Sequence, residues 1–308
     1  MDKNDPGLMR KVIREIIRRC VRRLARTPGF SVLFRSISKT RLKRNGGNDK
    51  AAICVIVLGE ERYIDEWIQY HLFLGFSHIV IYDNSDRNEM AHLGNKYESF
   101  VTVIPFPGRF KQYDAYNDFT CRYKCIYRWG AFIDCDEFIV LRSHDNINSF
   151  LNEYCEEGAV ALNWLLFGNN GRLVYENLPV LERFTRRCRG VDRHVKSIVN
   201  LIDVDFINNS HFPLLNHGRV KTTQRQAIDG PYNPDGDFSI AAIHHYYCKS
   251  EEEFDAKCRK GRVDIAQERL KSDYEGQGSN DVIDSSAWDF YRSHLPFEAW
   301  LEQEKRSG

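Results

Sequence analysis

The sequence lacks the features of a membrane-spanning or secreted protein. No stretch reaches eighteen apolar residues, and the N-terminus has no uninterrupted apolar region like that of a signal peptide. The sequence also contains no internal repeat and no low-complexity tract. Its nine cysteines are odd in number and scattered, several of them inside apolar runs, which argues against a disulfide framework. We therefore expect a globular, cytoplasmic protein with reduced thiols.

The net charge of +1 conceals a strong asymmetry along the chain. Residues 1–50 carry fifteen Lys and Arg against four Asp and Glu, whereas the remainder has a net charge of −10. Apolar side chains recur at helical spacing through residues 8–25, and the opposite face is nearly all Arg and Lys. We predict that residues 1–48 form a basic amphipathic segment and linker, which binds an anionic membrane surface through residues 8–26.

Two partners other than a membrane were considered for this basic segment, the chain's own globular part and nucleic acid. It could pack on the acidic surface of the chain's own globular part, which carries the opposite charge. Nucleic acid is not expected as a partner, because the segment lacks interleaved aromatic side chains and its apolar face is too regular for a disordered basic tail. The predicted location is therefore cytoplasmic and peripherally membrane-associated.

Strand and helix patterns alternate from residue 51 onward. Such alternation predicts an α/β fold with an open, mostly parallel sheet that binds ligands at the carboxyl ends of its strands. Further along, the pattern predicts more strands, a long loop at 203–240, and a helix that begins with a capping box of Ser250 and Glu253. The predicted strands are 51–58, 78–82, 100–106, 129–134, 159–167, 180–186 and 195–201, and the predicted helices of the first half are 64–72 and 112–127.

The stretch "FIDCDEF", residues 132–138, sets three carboxylates between two apolar strand patterns. Burial of an unpaired carboxylate costs several kcal/mol, so these acids need a positive partner. Two Asp residues one residue apart, Asp134 and Asp136, are suited to Mg²⁺ or Mn²⁺, which prefer oxygen ligands and are often completed by substrate phosphates. The alternative is that both Asp residues cap a turn and Glu137 is solvated.

Several motifs resemble one family. In chain order they are "CVIVLGEERYIDEWIQYHLFLGFSHIVIYDNSD", "WGAFIDCDEFIVL", "NWLLFGNNG", "VLERFT", "VKSIV" and "HHYYCKSEEEFDAKCRKG". They resemble the nucleotide-sugar glycosyltransferases of family 92 and bacterial relatives in the family 2-like group. The resemblance implies a Rossmann-like GT-A catalytic domain, which we place at residues 51–270 and expect to be followed by a C-terminal helical tail at 271–308.

The resemblance also implies an activity. It is the Mn²⁺-dependent (or Mg²⁺-dependent) transfer of a hexose, with inversion, from a nucleoside diphosphate sugar that we expect to be UDP-linked. The expected acceptor is a glycan or a lipid-linked glycan. Two other functions stay open: a catalytically inactive GT-A-fold carbohydrate-binding protein, and a phosphatase resembling the haloacid dehalogenases, although that chemistry normally places its Asp-x-Asp after the first strand.

The resemblance assigns roles to individual residues. Metal ligands are Asp134, Asp136 and His245. Residues for the nucleotide sugar are Glu60, Asp83, Asn84, Asp134, Lys196 and Lys249. Residues for the acceptor are Trp164 and Gly171. Each has a structural alternative: an Asx-rich turn for "DNSD", a core position for His245 and Trp164, and a surface cation for each lysine.

An inverting transfer also needs a base that takes the proton of the acceptor hydroxyl. Glu182 and Asp192 lie downstream of the acidic motif and are the two candidates for this catalytic role. Glu182 could instead form a salt bridge with Arg183 or Arg186.

Overall fold

The computed structural model describes residues 48–260, 274 and 278–307. The predicted amphipathic helix at residues 8–26 lies outside these residues. None of the described helices is both long and apolar enough to cross a membrane. No disulfide bond forms among the cysteines in the described part of the chain.

The described elements alternate between strand and helix through the first half and become strand-rich in the second. The strands are β1 (Asn48–Val57), β2 (His78–Asp83), β3 (Val101–Pro105), β4 (Tyr127–Phe132), β5 (Glu137–Leu141), β6 (Ala159–Leu166), β7 (Arg186–Arg187), β8 (Asp192–Asn200), β9 (Val204–Phe206), β10 (Leu214–Leu215), β11 (Val220–Thr222), β12 (Ala241–His245) and β13 (Val282–Ile283). The helices are α1 (Ile64–Phe73), α2 (Ala91–Lys96), α3 (Gln112–Tyr123), α4 (Ile147–Tyr154), α5 (Val180–Arg183), α6 (Glu251–Lys260), α7 (Ser286–Ser293) and α8 (Phe297–Ser307), with 3₁₀ turns at Glu98–Phe100 and Leu201–Asp203.

The first half confirms the predicted parallel sheet. Strands β3, β2, β1 and β4 lie side by side in that order and pair in parallel. Residues 51–57 of β1 are buried throughout, as expected for a strand covered on both faces. Helix α1 ends where Gly75 adopts a φ of +96°, a conformation that favours glycine, so that the N–H of Phe76 reaches back to the carbonyl of His71 at 3.1 Å.

The second half adds antiparallel strands to this sheet. Strand β8 lies between β4 and β6 and is antiparallel to both, and β12 lies between β6, to which it is parallel, and β5, to which it is antiparallel. The result is a mixed, mostly parallel open sheet that is compatible with a Rossmann-like fold. The predicted capping box is confirmed, because the N–H of Glu253 donates to Ser250 Oγ at 3.3 Å and the N–H of Ser250 donates to Glu253 Oε2 at 3.1 Å.

The predicted strand at residues 180–186 is wrong. The chain there forms the single helical turn α5, followed by the two-residue strand β7. The cause is a distant carboxylate: Glu66 on α1 accepts the backbone N–H groups of Val180 and Leu181 at 2.7 and 2.9 Å and so caps the turn. A tertiary contact thus overrides the local apolar pattern.

The C-terminal residues 278–307 pack on the core. Strand β13 pairs with β7, and the rings of Tyr291 and Phe297 lie 5.7 and 6.0 Å from the ring of Phe73 on α1. The division between a domain at 51–270 and a tail at 271–308 stays a prediction.

Candidate active site

The sheet topology brings the acidic turn at residues 133–136 to the end of β12. Strand β4 leads into this turn at the carboxyl edge of the parallel strands, and β5 leaves it antiparallel to β12. In that register His245 lies opposite Glu137. The N–H of Tyr246 donates to the carbonyl of Asp136 at 2.8 Å, which fixes the two segments side by side.

Glu137 fastens the turn from within. Its N–H donates to the carbonyl of Asp134 at 3.0 Å, and its side chain accepts the N–H of Asp134 at 2.9 Å. Burial raises the pKa of Glu137 to about 8. Glu137 is fully buried, so the alternative of a solvated Glu137 is wrong.

Lys196 supplies the charge that balances the buried side of this turn. Its ammonium donates to Asp134 at 2.8 Å and lies 3.3 Å from Glu137. Burial alone would lower the pKa of Lys196, but the two carboxylates outweigh burial and raise it. The second oxygen of Asp134 accepts from Gln112 at 2.9 Å. In this structure the partner of Lys196, which we predicted to bind the diphosphate, is the acidic turn itself.

Asp136 has a different positive partner. The ammonium of Lys257, on α6, lies 2.6 Å from its Oδ2, and Nε2 of His245 lies 3.6 Å from its Oδ1. Burial would raise the pKa of Asp136, but Lys257 and His245 hold it well below its usual value. Asp136 is therefore a carboxylate at neutral pH.

Sequence reasoning missed Lys257, although a signal was present. The capping box fixes where α6 begins, and Glu253 and Phe254 are buried on one face of that helix. A residue three or four positions further along lies on the same face. That spacing places Lys257 towards the site.

Burial holds the ring of His245 in its neutral form. Burial lowers the pKa of His245, and the attraction of Asp136 only partly opposes this. Its Nδ1 is buried and has no hydrogen-bond partner among the residues that the structure describes. The ring of Trp164 lies 4.3 Å away. A neutral imidazole with a free lone pair is the form that binds metals.

The side chains around the acidic turn offer few ligands for a divalent cation. Within residues 48–260, 274 and 278–307, no three His, Cys, Asp or Glu side chains come together as a metal site. Asp136 and His245 nevertheless lie 3.6 Å apart, and this carboxylate and imidazole would be the residues that hold such an ion. The ammonium of Lys257 marks the cation position beside Asp136. The chemistry therefore fits a metal held by these two residues and completed by a substrate, with the predicted third ligand, Asp134, engaged elsewhere.

A pocket opens next to this pair. It has a cavity volume of about 70 Å³ and is lined by residues of the loop after β1, of the β12–α6 connection and of α6. Its polar lining includes Glu60, Lys249 and Lys257, and its rings are Tyr63 and Tyr247. Two of the residues predicted to bind the nucleotide sugar thus share one pocket with the lysine that was missed.

Lys249 is held in this pocket without a carboxylate partner in the described chain. Only 5% of the residue is exposed, and its ammonium lies 4.5 Å above the ring of Tyr63. Its φ of +51° lies in the left-handed region that non-glycine residues seldom adopt. Glu66, Asp136 and Glu253 attract this ammonium without forming an ion pair with it, so it is suited to a further anionic ligand.

Asp83 and Asn84, which we predicted to bind the nucleotide, form hydrogen bonds with nearby backbone groups in this structure. Both oxygens of Asp83 accept backbone N–H groups, from Ser85 at 2.9 Å and Met90 at 2.8 Å. The amide of Asn84 donates to the carbonyls of Phe106 and Gly108. Their binding role stays a prediction.

Two further predicted residues lie at the surface. Gly171 is exposed with a φ of +74°, and no atom lies within 4 Å of where its Cβ would be. Glu182 is exposed on α5. Its predicted alternative partner, Arg183, pairs instead with Glu253 at 2.7 Å.

Asp192 and Trp164, in contrast, join the site. Asp192 lies 2.6 Å from Nδ1 of His194, and the ring of His194 stacks on Trp164 at 5.0 Å. Sequence reasoning missed His194. The predicted strand began at residue 195, and the register of β8 against β6 shifts between Val195 and Asp192, so regular alternation did not place His194.

Comparison with known sequences agrees with this geometry. The sequence profile of glycosyltransferase family 92 matches residues 49–272. A family 92 protein of Oryza sativa subsp. japonica is 26% identical over 217 residues, which cover 68% of this chain and 35% of that protein. One of Ricinus communis is 26% identical over 255 residues (78% and 42%), and one of Arabidopsis thaliana is 23% identical over 231 residues (70% and 38%). This chain thus spans less than half the length of these relatives. Because the profile covers most of the chain, the protein belongs to glycosyltransferase family 92.

Proposed function

We propose that this chain is a hexosyltransferase with a GT-A fold. It transfers a sugar from a nucleoside diphosphate sugar, which we propose is a UDP-sugar, to a hydroxyl of a glycan or lipid-linked glycan. The transfer inverts the configuration at the anomeric carbon. Family membership and the position of the site at the carboxyl edge of the sheet support the proposal. The observation that carries it is the cationic pocket of Lys249 and Lys257 beside Asp136 and His245.

The two lysines suit a diphosphate. Lys249 is nearly buried, and no carboxylate in the described part of the chain lies within ion-pair distance of it, so an incoming phosphate could pair with its ammonium directly. The ammonium of Lys257 lies 2.6 Å from Asp136 and 4.0 Å from the ring of Tyr247. Its long, flexible stem allows the charge to move from Asp136 to a bound phosphate.

A divalent cation, Mn²⁺ or Mg²⁺, belongs to the proposal as the partner of Asp136 and His245. When bound, such an ion supplies positive charge that stabilises the diphosphate leaving group. The neutral imidazole of His245 and the ionised carboxylate of Asp136 are both in the protonation state that ligation requires. The contacts among Asp134, Glu137 and Lys196 balance the charge of the acidic turn and hold in place the backbone that carries Asp136.

The acceptor side and the membrane complete the proposal. Trp164 is partly buried and lies beside His245, where an aromatic surface next to the reacting centre would contact the acceptor sugar. The basic residues 8–26 would hold the protein at an anionic membrane and so near a lipid-linked acceptor. The proposed location is therefore the cytoplasmic face of a membrane.

A screen of nucleotide sugars tests this function. Purified full-length chain is incubated with UDP-sugars and GDP-sugars, with Mn²⁺ or with chelator, while thermal shift and nucleotide release are recorded. We expect UDP to raise the melting temperature in the presence of Mn²⁺, and one UDP-sugar to be turned over. Binding without turnover of any donor, across a panel of glycan acceptors, would favour the carbohydrate-binding alternative.

A further inference from the structure

Two polar side chains on β8 form a pair that the donor site does not use. Nδ1 of His194 lies 2.6 Å from Oδ1 of Asp192, and the same oxygen accepts the backbone N–H of His194 at 2.8 Å. Both side chains are partly open to solvent, with 33% of the imidazole and 27% of the carboxylate exposed. The pair is therefore both fixed and accessible.

The contact defines which nitrogen of His194 carries the proton. Burial would raise the pKa of Asp192, but the hydrogen bonds from His194 outweigh burial and lower it, so the group is a carboxylate and only accepts. Nδ1 must then be the donor. In the neutral ring Nε2 holds the lone pair, which is the arrangement of a histidine base oriented by a carboxylate.

The surroundings place this nitrogen on the acceptor side of the site. The ring of Trp164 lies 5.0 Å from that of His194 and 4.3 Å from that of His245, which itself faces Asp136. The ring of Tyr232, which is 44% exposed, lies 4.8 Å from that of His194. A half-open imidazole next to two aromatic rings, with Trp164 between it and His245 of the proposed donor site, can meet a sugar hydroxyl.

We propose that His194 is the catalytic base and that Asp192 is its positioning residue. This inference rests on the proposed function. As the acceptor oxygen bonds to the anomeric carbon, the bond from that carbon to the diphosphate breaks, and its electron pair leaves with the nucleoside diphosphate. The proton of the acceptor hydroxyl passes to Nε2 of His194. The imidazolium is stabilised by the Asp192 carboxylate and then releases the proton to solvent.

The geometry favours His194 over the two bases that the sequence suggested. One oxygen of Asp192 already accepts two N–H groups of His194, those of the backbone and of the ring. The pKa of Asp192 is also lowered, and a carboxylate with a lowered pKa is a weak proton acceptor. Glu182 lies exposed on α5, and no contact joins it to Trp164 or His245.

The test uses His194→Gln, His194→Gly and Asp192→Asn in the full chain. Turnover is UDP release from the UDP-sugar that is hydrolysed fastest in the donor screen, with water as the attacking hydroxyl, and UDP affinity is measured by calorimetry. Loss of a general base lowers turnover by about 10² to 10⁴-fold. We expect kcat to fall by about 100-fold or more in His194→Gln, with the KM for the donor and the Kd for UDP unchanged. Added imidazole should restore part of the activity of His194→Gly.

His211→Gln is the matched control. Its ring also lies 5.0 Å from Trp164, but its Nδ1 contacts the carbonyl of Val195 and not a carboxylate. A role limited to packing on Trp164 would make both histidine variants equally impaired and would overturn the inference. A larger loss in Asp192→Asn than in His194→Gln, or near-normal turnover in His194→Gln, would also overturn it. If the wild-type chain turned over no donor, the proposed function itself would be wrong. That result differs from a failure of the base assignment alone, in which the wild-type chain is active.

Discussion

The acidic turns after β2 and β4 hold their carboxylates in opposite ways. Asp83 accepts two backbone N–H groups, at 2.9 and 2.8 Å. Asp134 and Asp136 instead accept from the ammonium groups of Lys196 at 2.8 Å and Lys257 at 2.6 Å. A backbone amide in a closed turn cannot leave its acceptor unless the turn opens, whereas an ammonium on a four-carbon stem can move to another anion. The same residue type, at the same edge of one sheet, therefore has a structural role in one turn and an exchangeable partner in the other.

The two lysines that pair with the turn after β4 differ in how firmly they are held. Lys196 is 1% exposed and lies between Asp134 and Glu137, so contacts with two side chains hold it in place. Lys257 lines the pocket, and besides Asp136 it contacts the carbonyl and ring of Tyr247. Of the two ion pairs, the one between Asp136 and Lys257 is the pair that a ligand can open.

The largest effect is expected from Asp136→Asn. The substitution removes the charge that faces Lys257, His245 and the proposed metal, while the amide keeps the size of the side chain. Loss of one preorganised electrostatic contact in an active site costs about 10²–10³-fold in turnover. We expect donor turnover to fall by at least about 100-fold, and the Mn²⁺-dependent part of UDP affinity to disappear.

Asp114→Asn is its control. Asp114 also pairs with a lysine, Lys111, at 2.8 Å, but at the surface. Circular dichroism should show the same fold in both variants. Wild-type turnover by Asp136→Asn in chelator-treated buffer would contradict the metal proposal.

Asp83→Asn should affect stability before it affects chemistry. An amide offers one oxygen where the carboxylate offers two, and its NH₂ group would face a backbone N–H of Ser85 or Met90. An unsatisfied buried donor costs about 1–3 kcal/mol. Urea denaturation should show a loss of this size, with turnover per folded molecule retained. If turnover and UDP affinity fell at unchanged stability, Asp83 would have the nucleotide-binding role that the family resemblance implies.

The first half of the fold was predictable because its signals are local. Buried apolar runs such as 51–57 and the Gly75 helix end need no knowledge of the rest of the chain. Residues 180–186 were not predictable, because the carboxylate that caps α5 comes from Glu66, 114 positions earlier.

The site divides in the same way. Asp136 and His245 were predicted from motifs. The motifs did not indicate which lysine would pair with Asp134 and which with Asp136. Lys196 reaches Asp134 only because β8 lies next to β4, and a local pattern does not contain strand order. Lys257 was missed for a different reason: it lies inside the motif HHYYCKSEEEFDAKCRKG, but its role depends on where α6 packs.

Lys249→Met gives the smallest expected effect and tests whether the pocket binds phosphate. Methionine keeps most of the contact with Tyr63 and removes a buried charge that has no carboxylate partner in the described residues, so the ligand-free protein should not be destabilised. Affinity for UDP should fall about tenfold, which corresponds to about 1.4 kcal/mol. Lys96→Met is the matched control: Lys96 also lies over a tyrosine ring, that of Tyr97 at 5.4 Å, but it is exposed and paired with Asp65. Titration calorimetry with UDP should separate the two variants. Unchanged UDP affinity in Lys249→Met would remove the pocket from the donor site and leave Asp136 and His245 without their diphosphate neighbour.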